Sequence, residues 1–427
     1  MARARKLAIL IGAAAAGSAA AVAALPRGDL QTGLIQVAVA TAPPGSVVTP
    51  PPGHYVGHLI VDRPVILDGR GQVTIDAGGS GSPLQVQADG TVIRGLRLVG
   101  SGEDNNSEDA GIKVHGNRVT IENNVIEDCL EGINLAQSND DVVRGNHISS
   151  KADLSLGLKG DAIKLWYSNG NLIEGNVVDR SRDVVVWYSS HNTISHNSVH
   201  NGRYGLHFMY AGQNVVENND FDRNSVGISM MYSEGVTIRH NRFARAVGST
   251  GTCVAAKESS GLVVEDNDIV YCSQGIFLDV SPYQPGETNV IADNRISFNA
   301  VAVGFLSDWH DNTFHGNRFS GNFTDVAVYG GGTAAHNQWD GNFWDNYEGF
   351  DRDHDGVGDT PFQMMSYASR VWMETPATRF FVATPLLEVI DFLDRLAPFS
   401  QPQMMLEDKH PRYRQPDAVP DKADKTS

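Results

Sequence analysis

The sequence predicts an all-β chain folded as a parallel β-helix with coils of about 22 residues. An asparagine followed two residues later by a β-branched or aromatic residue recurs from Asn124 to Asn317, as in "NVI", "NDF" and "NRF", at spacings near 22 residues. Between these positions lie short β-branched segments, such as "RVTIE" and "GVTIRH", separated by Gly, Asn, Asp and Ser. A period this short, made of strands and turns, is typical of one coil of a solenoid.

The recurring asparagines are expected to be structural. Asparagine tolerates the left-handed backbone conformation, and its amide can bond turn groups in a stacked coil. We expect the coils to cover residues 40–350, with residues 45–100 as the first coils and the acidic stretch 101–109 as a loop. Their right-handedness is expected from their similarity to known solenoids, because the period does not determine it.

The N-terminal residues 1–24 have the pattern of a secretory signal peptide. Arg3, Arg5 and Lys6 precede an alanine-rich apolar run with small residues near Ala24. The alternative is an uncleaved anchor, because the run is almost long enough to span a bilayer. Cleavage fits the scarcity of Leu, Ile and Phe better, and it predicts export to the periplasm or outside the cell.

The charge balance argues against a nucleic-acid partner. Lys and Arg total 33 against 50 Asp and Glu, a formal net charge of −17. Nucleic-acid binding depends on clustered cations that neutralise phosphates, and the chain has no long basic run beyond its N-terminus.

Three cysteines in a chain of 427 residues do not make a disulfide framework. Cys253 and Cys272 lie close enough in sequence to pair, and Cys129 would then be left over. We interpret all three as buried small hydrophobic residues.

Four coils contain an apolar segment that ends in tyrosine: "IKLWY" (163–167), "VVVWY" (184–188), "LHFMY" (206–210) and "ISMMY" (228–232). Adjacent coils lie about 4.8 Å apart, and alternate side chains of a strand point to opposite faces. Ile163, Leu165 and their equivalents are therefore expected to face inward. The outward side chains should form two columns: Lys164, Val185, His207 and Ser229, beside Trp166, Trp187, Met209 and Met231.

We call these two columns the Met–Trp stripe and expect it to be exposed. A loop or a terminal segment could cover it, or a bulge could reverse the alternation and bury Trp and Met. If the stripe is exposed to solvent, we expect it to bind a ligand or a partner, because soluble monomers seldom expose contiguous apolar surface. Thioethers beside an imidazole suit Cu(I), which makes His207, Met209 and Met231 candidate copper ligands. Trp166 and Trp187 could instead stack on a sugar or contact a partner.

The segment "DRDHDGVGD" at 351–359 has the spacing of a calcium loop, with Gly356 at the sharp turn. The predicted ligands are four carboxylates and one carbonyl, from Asp351, Asp353, Asp355, Asp359 and Val357. Phe362 stands where an EF-hand has glutamate, so we expect weaker affinity or a further ligand from elsewhere. A structural calcium in the loop 351–362 would clamp the end of the solenoid; the alternative is an acidic turn without metal.

Residues 363–405 are predicted to be a C-terminal extension with a short helix, and residues 406–427 a flexible tail. Within "TPLLEVIDFLDRLAPF" (384–399) apolar residues recur at helical spacing between prolines. This helix either packs on the solenoid or contacts a partner, for instance at a membrane surface. The partner-contacting candidates are Leu386, Leu387, Ile390 and Leu393. Two Met pairs, at 364–365 and 404–405, offer further soft ligands.

The elements "LWYS", "GRYGLHFMY", "GISMMYS" and "GNFWDNYEGFDRDHDGVGDTPF" make the chain similar to the NosD family of nitrous oxide reductase maturation proteins, over residues 40 to 405. The resemblance implies a periplasmic, non-enzymatic β-helix docked on an ABC-type ATPase and permease. It also implies cooperation with a copper chaperone in assembling the copper–sulfur centre of nitrous oxide reductase, with membrane contact through the permease.

A second hypothesis is that the protein is an exported carbohydrate-binding protein, or an enzyme that cleaves or epimerises polysaccharides, since β-helices often have such sites. Those enzymes need positioned acid and base groups. The best surface charges here do not form a recognisable catalytic pair: Asp161, Lys164, Arg182, Asp183 and Arg203. A passive sugar-binding module would use Trp166 and Trp187 without the methionines.

Overall fold

The computed structural model describes residues 30–246, 248, 250–366, 384, 389, 392–393 and 403–413. The fold is a parallel β-solenoid of about 13 turns with very little helix, which confirms the predicted fold class. Its contacts divide the chain into two compact units, residues 1–181 and residues 182–427. The predicted signal peptide lies outside the described residues. Within the described residues, no helix is long and apolar enough to cross a bilayer.

From residue 30 onward, where the structure describes it, the first unit contains one helix, α1 (Gly33–Thr41), and sixteen short strands. The strands are β1 (Leu30–Gln31), β2 (Val47–Val48), β3 (Gly53–Val56), β4 (Leu59–Val61), β5 (Ile66–Asp76), β6 (Leu84–Val86), β7 (Val92–Val99), β8 (Ala110–Val114), β9 (Thr120–Glu122), β10 (Val125–Cys129), β11 (Glu131–Ala136), β12 (Val142–Arg144), β13 (His147–Ser150), β14 (Ile163–Trp166), β15 (Leu172–Glu174) and β16 (Val177–Asp179).

The second unit continues with β17 (Asp183–Trp187), β18 (Thr193–Ser195), β19 (Ser198–His200), β20 (Tyr204–Met209), β21 (Val215–Glu217), β22 (Asp220–Asp222), β23 (Val226–Met231), β24 (Thr237–Arg239), β25 (Arg242–Ala244), β26 (Thr252–Lys257), β27 (Val263–Glu265), β28 (Asp268–Val270), β29 (Gln274–Asp279), β30 (Asn289–Ala292), β31 (Arg295–Ser297), β32 (Val301–Phe305), β33 (Asn312–His315), β34 (Arg318–Ser320), β35 (Thr324–Val328), β36 (Gln338–Asp340), β37 (Phe343–Trp344), β38 (Phe362–Ser366) and β39 (Gln403–Asp408).

Each coil contributes one strand to each of three parallel ladders. In the second unit these are β18–β21–β24–β27–β30–β33–β36, β19–β22–β25–β28–β31–β34–β37 and β17–β20–β23–β26–β29–β32–β35. Like side chains therefore stack, as Phe221 on Phe243 with ring centroids 5.0 Å apart. Both rings are buried, and each such burial contributes about 2 kcal/mol of hydrophobic stabilisation.

A ladder of buried asparagine side chains joins coil to coil at one corner. In the second unit it runs through Asn197, Asn219, Asn241, Asn267, Asn294, Asn317 and Asn342. From Asn219 onward, each amide oxygen accepts two hydrogen bonds from the asparagine one coil earlier, one from its backbone N–H and one from its Nδ2, at 2.8–3.1 Å. The asparagines are structural, as the sequence indicates.

The left-handed residue of this corner is not the ladder asparagine itself. It is the preceding residue, such as Asn218 (φ 58°), His240 (φ 55°) or Gly316 (φ 66°). The expectation that the recurring asparagine adopts this conformation is therefore wrong. The ladder needs the asparagine side chain directed into the coil, and the preceding residue makes the turn.

The short helix α1, which the sequence analysis did not predict, protects an edge of the first unit. Gln36 accepts a hydrogen bond from the N–H of Ile60 in β4 and donates one to its carbonyl, both at 2.9 Å. Ile35 and Val39 are buried. An unpaired strand edge invites association with other chains, and α1 covers this one.

An antiparallel pair, β38 and β39, follows the last coil of the second unit. Asp408 in β39 is fully buried and ends the asparagine ladder. It accepts hydrogen bonds from the N–H groups of Gly341 and Asn342, from the Asn342 side chain and from the Trp344 indole, at 2.9–3.1 Å. The prediction of a flexible tail from residue 406 is therefore wrong for residues 406–408, which belong to β39, and for residues 411–413, which bond the acidic loop. Residues 414–427 lie outside the described residues.

The cysteine interpretation needs one correction. Cys253 and Cys272 form a disulfide, although both are buried as expected. The register of the coils brings their Cα atoms within 6.0 Å. Cys129 is free and buried, and burial raises the pKa of its thiol to about 12, so it is an inert hydrophobic residue.

Replacing Asp408 tests whether it closes the ladder. The Asp408→Ala substitution should lower the free energy of unfolding by about 3 kcal/mol, because it leaves several buried donors without an acceptor. Asp340→Ala is the matched control: Asp340 is exposed, pairs with His410 and should change the stability by less than about 1 kcal/mol. Chemical denaturation followed by circular dichroism measures both, and equal losses would contradict the assigned role.

Candidate metal centre

The register of β17, β20 and β23 reproduces the predicted columns within the second unit. His207 pairs with Val185 on one side and Ser229 on the other. Met209 pairs in the same way with Trp187 and Met231. The three candidate copper ligands therefore lie on neighbouring strands, with His207 and Met209 two residues apart on the same face.

The predicted alternation of side chains also holds. Leu206, Phe208, Ile228 and Met230 are fully buried in the coil interior. Trp187, Met209 and Met231 lie on the opposite face and are half-buried. A bulge that places the stripe methionines in the core is therefore ruled out.

The structure differs from the prediction in the exposure of the first column. Val185, His207 and Ser229 are 0%, 6% and 3% exposed. The expectation that the whole stripe is exposed is wrong for this column. Sequence alternation predicts which face a side chain takes, and packing above that face decides whether solvent reaches it.

His207 lies between two aromatic rings. Its ring centroid is 5.9 Å from that of Trp187, at an interplanar angle of 86°, and 4.8 Å from that of Tyr204. Neither Nδ1 nor Nε2 of His207 has a hydrogen-bond partner, although both atoms are buried. Buried polar atoms are nearly always paired, and leaving one unpaired costs about 1–3 kcal/mol. Two orphaned nitrogens on one buried ring leave it with a lone pair that a ligand could use.

The electrostatic surroundings keep this imidazole neutral. Burial lowers the pKa of His207 to about 4; Asp183 acts against this shift, and Arg203 and Arg182 add to it. At neutral pH the ring therefore has one nitrogen lone pair available. Neutral imidazole is the form that binds metals.

Together His207, Met209 and Met231 offer one borderline nitrogen donor and two soft sulfur donors. Thioethers favour Cu(I), and hard cations such as Mg²⁺ prefer oxygen. The donor set therefore fits a cuprous ion. The sequence pattern predicts these three residues, but it does not predict that the rings of Tyr204 and Trp187 contact His207. Tyr204 lies on the same strand as His207, and Trp187 lies in the preceding coil, so the contacts depend on packing.

The stripe residues of the first unit, on β14, have different surroundings. Trp166 is 38% exposed, whereas Lys164 is nearly buried. The Lys164 ammonium lies 2.6 Å from Glu108 Oε1 and 3.6 Å from Glu131 Oε1. Burial raises the pKa of Glu131 to about 7, against the attraction of Lys164. Lys164 thus belongs to an ion-pair network that includes Glu108 of the acidic loop 101–109.

The charged residues considered as acid and base groups of an enzyme lie in both units. Asp161 and Lys164 belong to the first, and Arg182, Asp183 and Arg203 to the second. Asp183 is buried and accepts hydrogen bonds from the Arg203 guanidinium, at 3.0 Å from Nε, and from the Tyr204 N–H, also at 3.0 Å. This pair orients the start of β20 next to His207.

The acidic loop at 351–359 brings three of its predicted ligands together. Carboxylate oxygens of Asp351, Asp353 and Asp355 all lie within 4.8 Å of one another. Asp359 is not in this group; its carboxylate accepts a hydrogen bond from the Arg352 N–H at 2.9 Å. Oxygen ligands at this spacing fit a hard cation such as Ca²⁺.

The rest of the loop is hydrogen-bonded to residues 411–413. Gly356 has the left-handed φ of 87° that the sharp turn requires. Val357 forms a bridge with Arg412, and the Gly356 carbonyl accepts a hydrogen bond from the Tyr413 N–H. Phe362, in place of the EF-hand glutamate, stacks on Trp344 with ring centroids 4.5 Å apart. That position serves packing and supplies no metal ligand.

The predicted partner helix is described only in part. Leu386, Leu387 and Ile390 lie outside the described residues. Val389, Phe392 and Leu393 are helical and 53%, 61% and 46% exposed.

Comparison with known proteins identifies the family. The profile of the family "Periplasmic copper-binding protein (NosD)" matches residues 150–349, and that of a "Right handed beta helix region" matches residues 85–182. A Pseudomonas aeruginosa protein named "Probable ABC transporter binding protein NosD" is 30% identical, over 86% of this chain and 88% of its own length. The chain belongs to the NosD family. A Stutzerimonas stutzeri relative of the same name is 29% identical, over 86% of each chain.

Solved structures similar to this NosD-family chain agree in fold. The A-modules of the mannuronan C-5 epimerases AlgE4 and AlgE6 from Azotobacter vinelandii superpose with TM-scores of 0.55 and 0.54, each at 16% identity. The match covers 74% and 72% of this chain, and 98% and 94% of theirs. At this identity the likeness shows the fold alone.

The neutral His207 predicts a pH dependence of stability. Below pH 6.5 the unfolded chain takes up a proton at this residue, whereas the folded chain does so only near pH 4. The free energy of unfolding should therefore fall as the pH drops from 6.5 to 4, by on the order of 3 kcal/mol. His207→Gln removes this contribution.

The test uses the difference in the free energy of unfolding between variant and wild type at each pH, because other groups titrate in the same pH range. Burial raises the pKa of Asp325 to about 7, which shifts stability in the opposite direction. Denaturation from pH 7.5 to 4.5 of wild type, His207→Gln and the exposed control His310→Gln isolates the His207 contribution. Parallel curves for wild type and His207→Gln would refute the buried neutral imidazole.

Proposed function

We propose that the protein is a periplasmic accessory factor that binds Cu(I) as cargo during assembly of the copper–sulfur centre of nitrous oxide reductase. The observation that supports this most is His207, a buried neutral imidazole without hydrogen-bond partners, beside the thioethers of Met209 and Met231. Membership of the NosD family, which is described as periplasmic and copper-binding, agrees with it. The role requires transient binding rather than catalysis, so we propose no enzymatic step.

In this proposal the protein acts with an ABC-type ATPase and permease and with a copper chaperone. The names of its relatives, ABC transporter binding proteins, support the transporter part. We propose that the helix around Leu386, Leu387, Ile390 and Leu393 contacts the permease and so brings the protein to the membrane. The exposed apolar side chains of Val389, Phe392 and Leu393 support this contact. The half-exposed Trp166 and Trp187 are proposed partner contacts for the chaperone or the reductase.

We also propose that the acidic loop binds one structural Ca²⁺. The ligands are carboxylates of Asp351, Asp353 and Asp355, with Asp359 and the Val357 carbonyl completing the shell after rearrangement. The loop is bonded to residues 411–413, so a bound cation would hold those residues against the last coil. The proposed role is structural, at the end of the solenoid.

Copper binding is tested by combining His207→Ala, Met209→Ala and Met231→Ala. Competition with a colorimetric Cu(I) chelator should show an affinity at least about 100-fold below wild type, because all three donors are removed. The exposed-residue control His310→Ala should bind as wild type does. Unchanged affinity of the triple variant would remove the site.

The same variant tests the biological role. In a strain that lacks this gene and is grown on nitrous oxide, the reductase should be exported and folded but lack its catalytic copper–sulfur centre, as read from copper content and visible spectrum. Wild type and His310→Ala should restore the centre, and the triple variant should not. A fully metallated, active reductase in the deletion strain would refute the proposed function.

The calcium loop is tested by thermal unfolding. At 10 mM Ca²⁺ and a Kd near 10⁻³ to 10⁻⁴ M, binding adds about 2 kcal/mol and raises the melting temperature by about 2 °C. Asp353→Ala should abolish this increase, and Glu348→Ala, an exposed acidic residue outside the group, should keep it. A wild-type transition that calcium does not move would refute the site.

A further inference from the structure

Trp187 lies beside two of the candidate copper ligands, His207 and Met209. It pairs in register with Met209, so the two side chains are neighbours on the same face of β17 and β20. Its ring stands perpendicular to that of His207, with centroids 5.9 Å apart. In a perpendicular pair the edge of one ring points at the plane of the other. The edge of the imidazole that has the nitrogens can therefore point at the plane of the indole.

The polar atom of Trp187 is not used for anchoring. Its Nε1 is buried and has no hydrogen-bond partner. Buried tryptophans usually direct this N–H at an acceptor, because an unpaired donor is costly. Because the Trp187 ring lacks that hydrogen bond, its contacts with His207 and Met209 hold it in position.

The donor set leaves a charge that such a ring can stabilise. An imidazole and two thioethers are all neutral, so a Cu(I) ion bound by His207, Met209 and Met231 keeps its positive charge at a half-buried position. Asp183, the buried carboxylate whose charge acts on His207, is already paired with the guanidinium of Arg203. Tryptophan presents the most favourable aromatic face for a cation, and the contact is stronger where water is excluded.

Of the two rings that flank His207, Trp187 is the one available for this contact. Tyr204 already has the Arg203 guanidinium carbon 4.7 Å from its ring centroid. Within the described residues, no Lys or Arg cation lies over the Trp187 ring. The face of Tyr204 is thus already in contact with a cation, whereas the cation–π contacts of the described residues leave the face of Trp187 without one.

We propose that Trp187 forms the aromatic wall of the copper site, stabilising bound Cu(I) by a cation–π contact and excluding water and hard ligands from its open side. This inference rests on the proposed function, since it assumes that His207, Met209 and Met231 bind Cu(I). It changes the role of Trp187 from a surface residue for a partner to a residue that sets affinity and favours the cuprous state.

The test uses the full-length protein, Cu(I) supplied anaerobically with a colorimetric chelator as competitor, and Ag(I) as a redox-inert probe. Trp187→Leu keeps an apolar side chain but removes the aromatic face, and should weaken Cu(I) binding about tenfold. Trp187→Phe keeps a weaker face and should lie between wild type and Trp187→Leu. Cu(I) should also quench tryptophan fluorescence in wild type, and Trp187→Phe should lose that quenching. Trp309→Phe, which removes a tryptophan elsewhere in the second unit, should retain it.

The outcomes separate the two proposals. If wild type binds Cu(I) and Trp187→Leu binds it with equal affinity and unchanged melting temperature, the aromatic wall is refuted and the His–Met site stands. If affinity falls in Trp187→Leu but Trp187→Phe does not recover any of it, the loss comes from packing and the cation–π contact is likewise refuted. If wild type binds neither Cu(I) nor Ag(I), the proposed function fails and this inference fails with it.

Discussion

The paired hydrogen bonds between successive ladder asparagines set the register of the coils within each of the two units. Each coil is too short to bury its own apolar side chains, so it is stable only when stacked. The amide oxygen of each asparagine accepts hydrogen bonds from the backbone and the side chain of the asparagine one coil earlier, within 3.1 Å. A slip of one residue would leave these buried groups unpaired and turn every side chain to the wrong face.

This fixed register is what creates the candidate copper site. His207, Met209 and Met231 come from two coils, and only a register that pairs Met209 with Met231 makes the two thioethers neighbours. The solenoid supplies rigid backbone, and burial supplies a neutral imidazole. The unpartnered nitrogens of His207 are a local cost to stability that the many paired asparagines of the same unit offset.

The ends of a solenoid need separate solutions, because a coil without a neighbour exposes unpaired backbone. In the first unit α1 bonds the edge strand β4 through Gln36. In the second unit Asp408 takes the place of a further asparagine, and its carboxylate can accept more hydrogen bonds than an amide oxygen. The acidic loop 351–359 bonds the residues that follow Asp408, so the proposed calcium site would reinforce the same closure.

The sequence by itself determined the period, the strand character and the face that each stripe residue takes, because these depend on local repetition and on the alternation of side chains along a strand. It also located Asp351, Asp353 and Asp355, whose spacing along one loop is enough to bring them together. Only the tertiary structure decided that His207 is buried and unpartnered, that Cys253 joins Cys272, and that Asp408 ends the ladder. Each of these depends on how neighbouring coils, or the last coil and β39, pack against one another, which the local sequence pattern does not record.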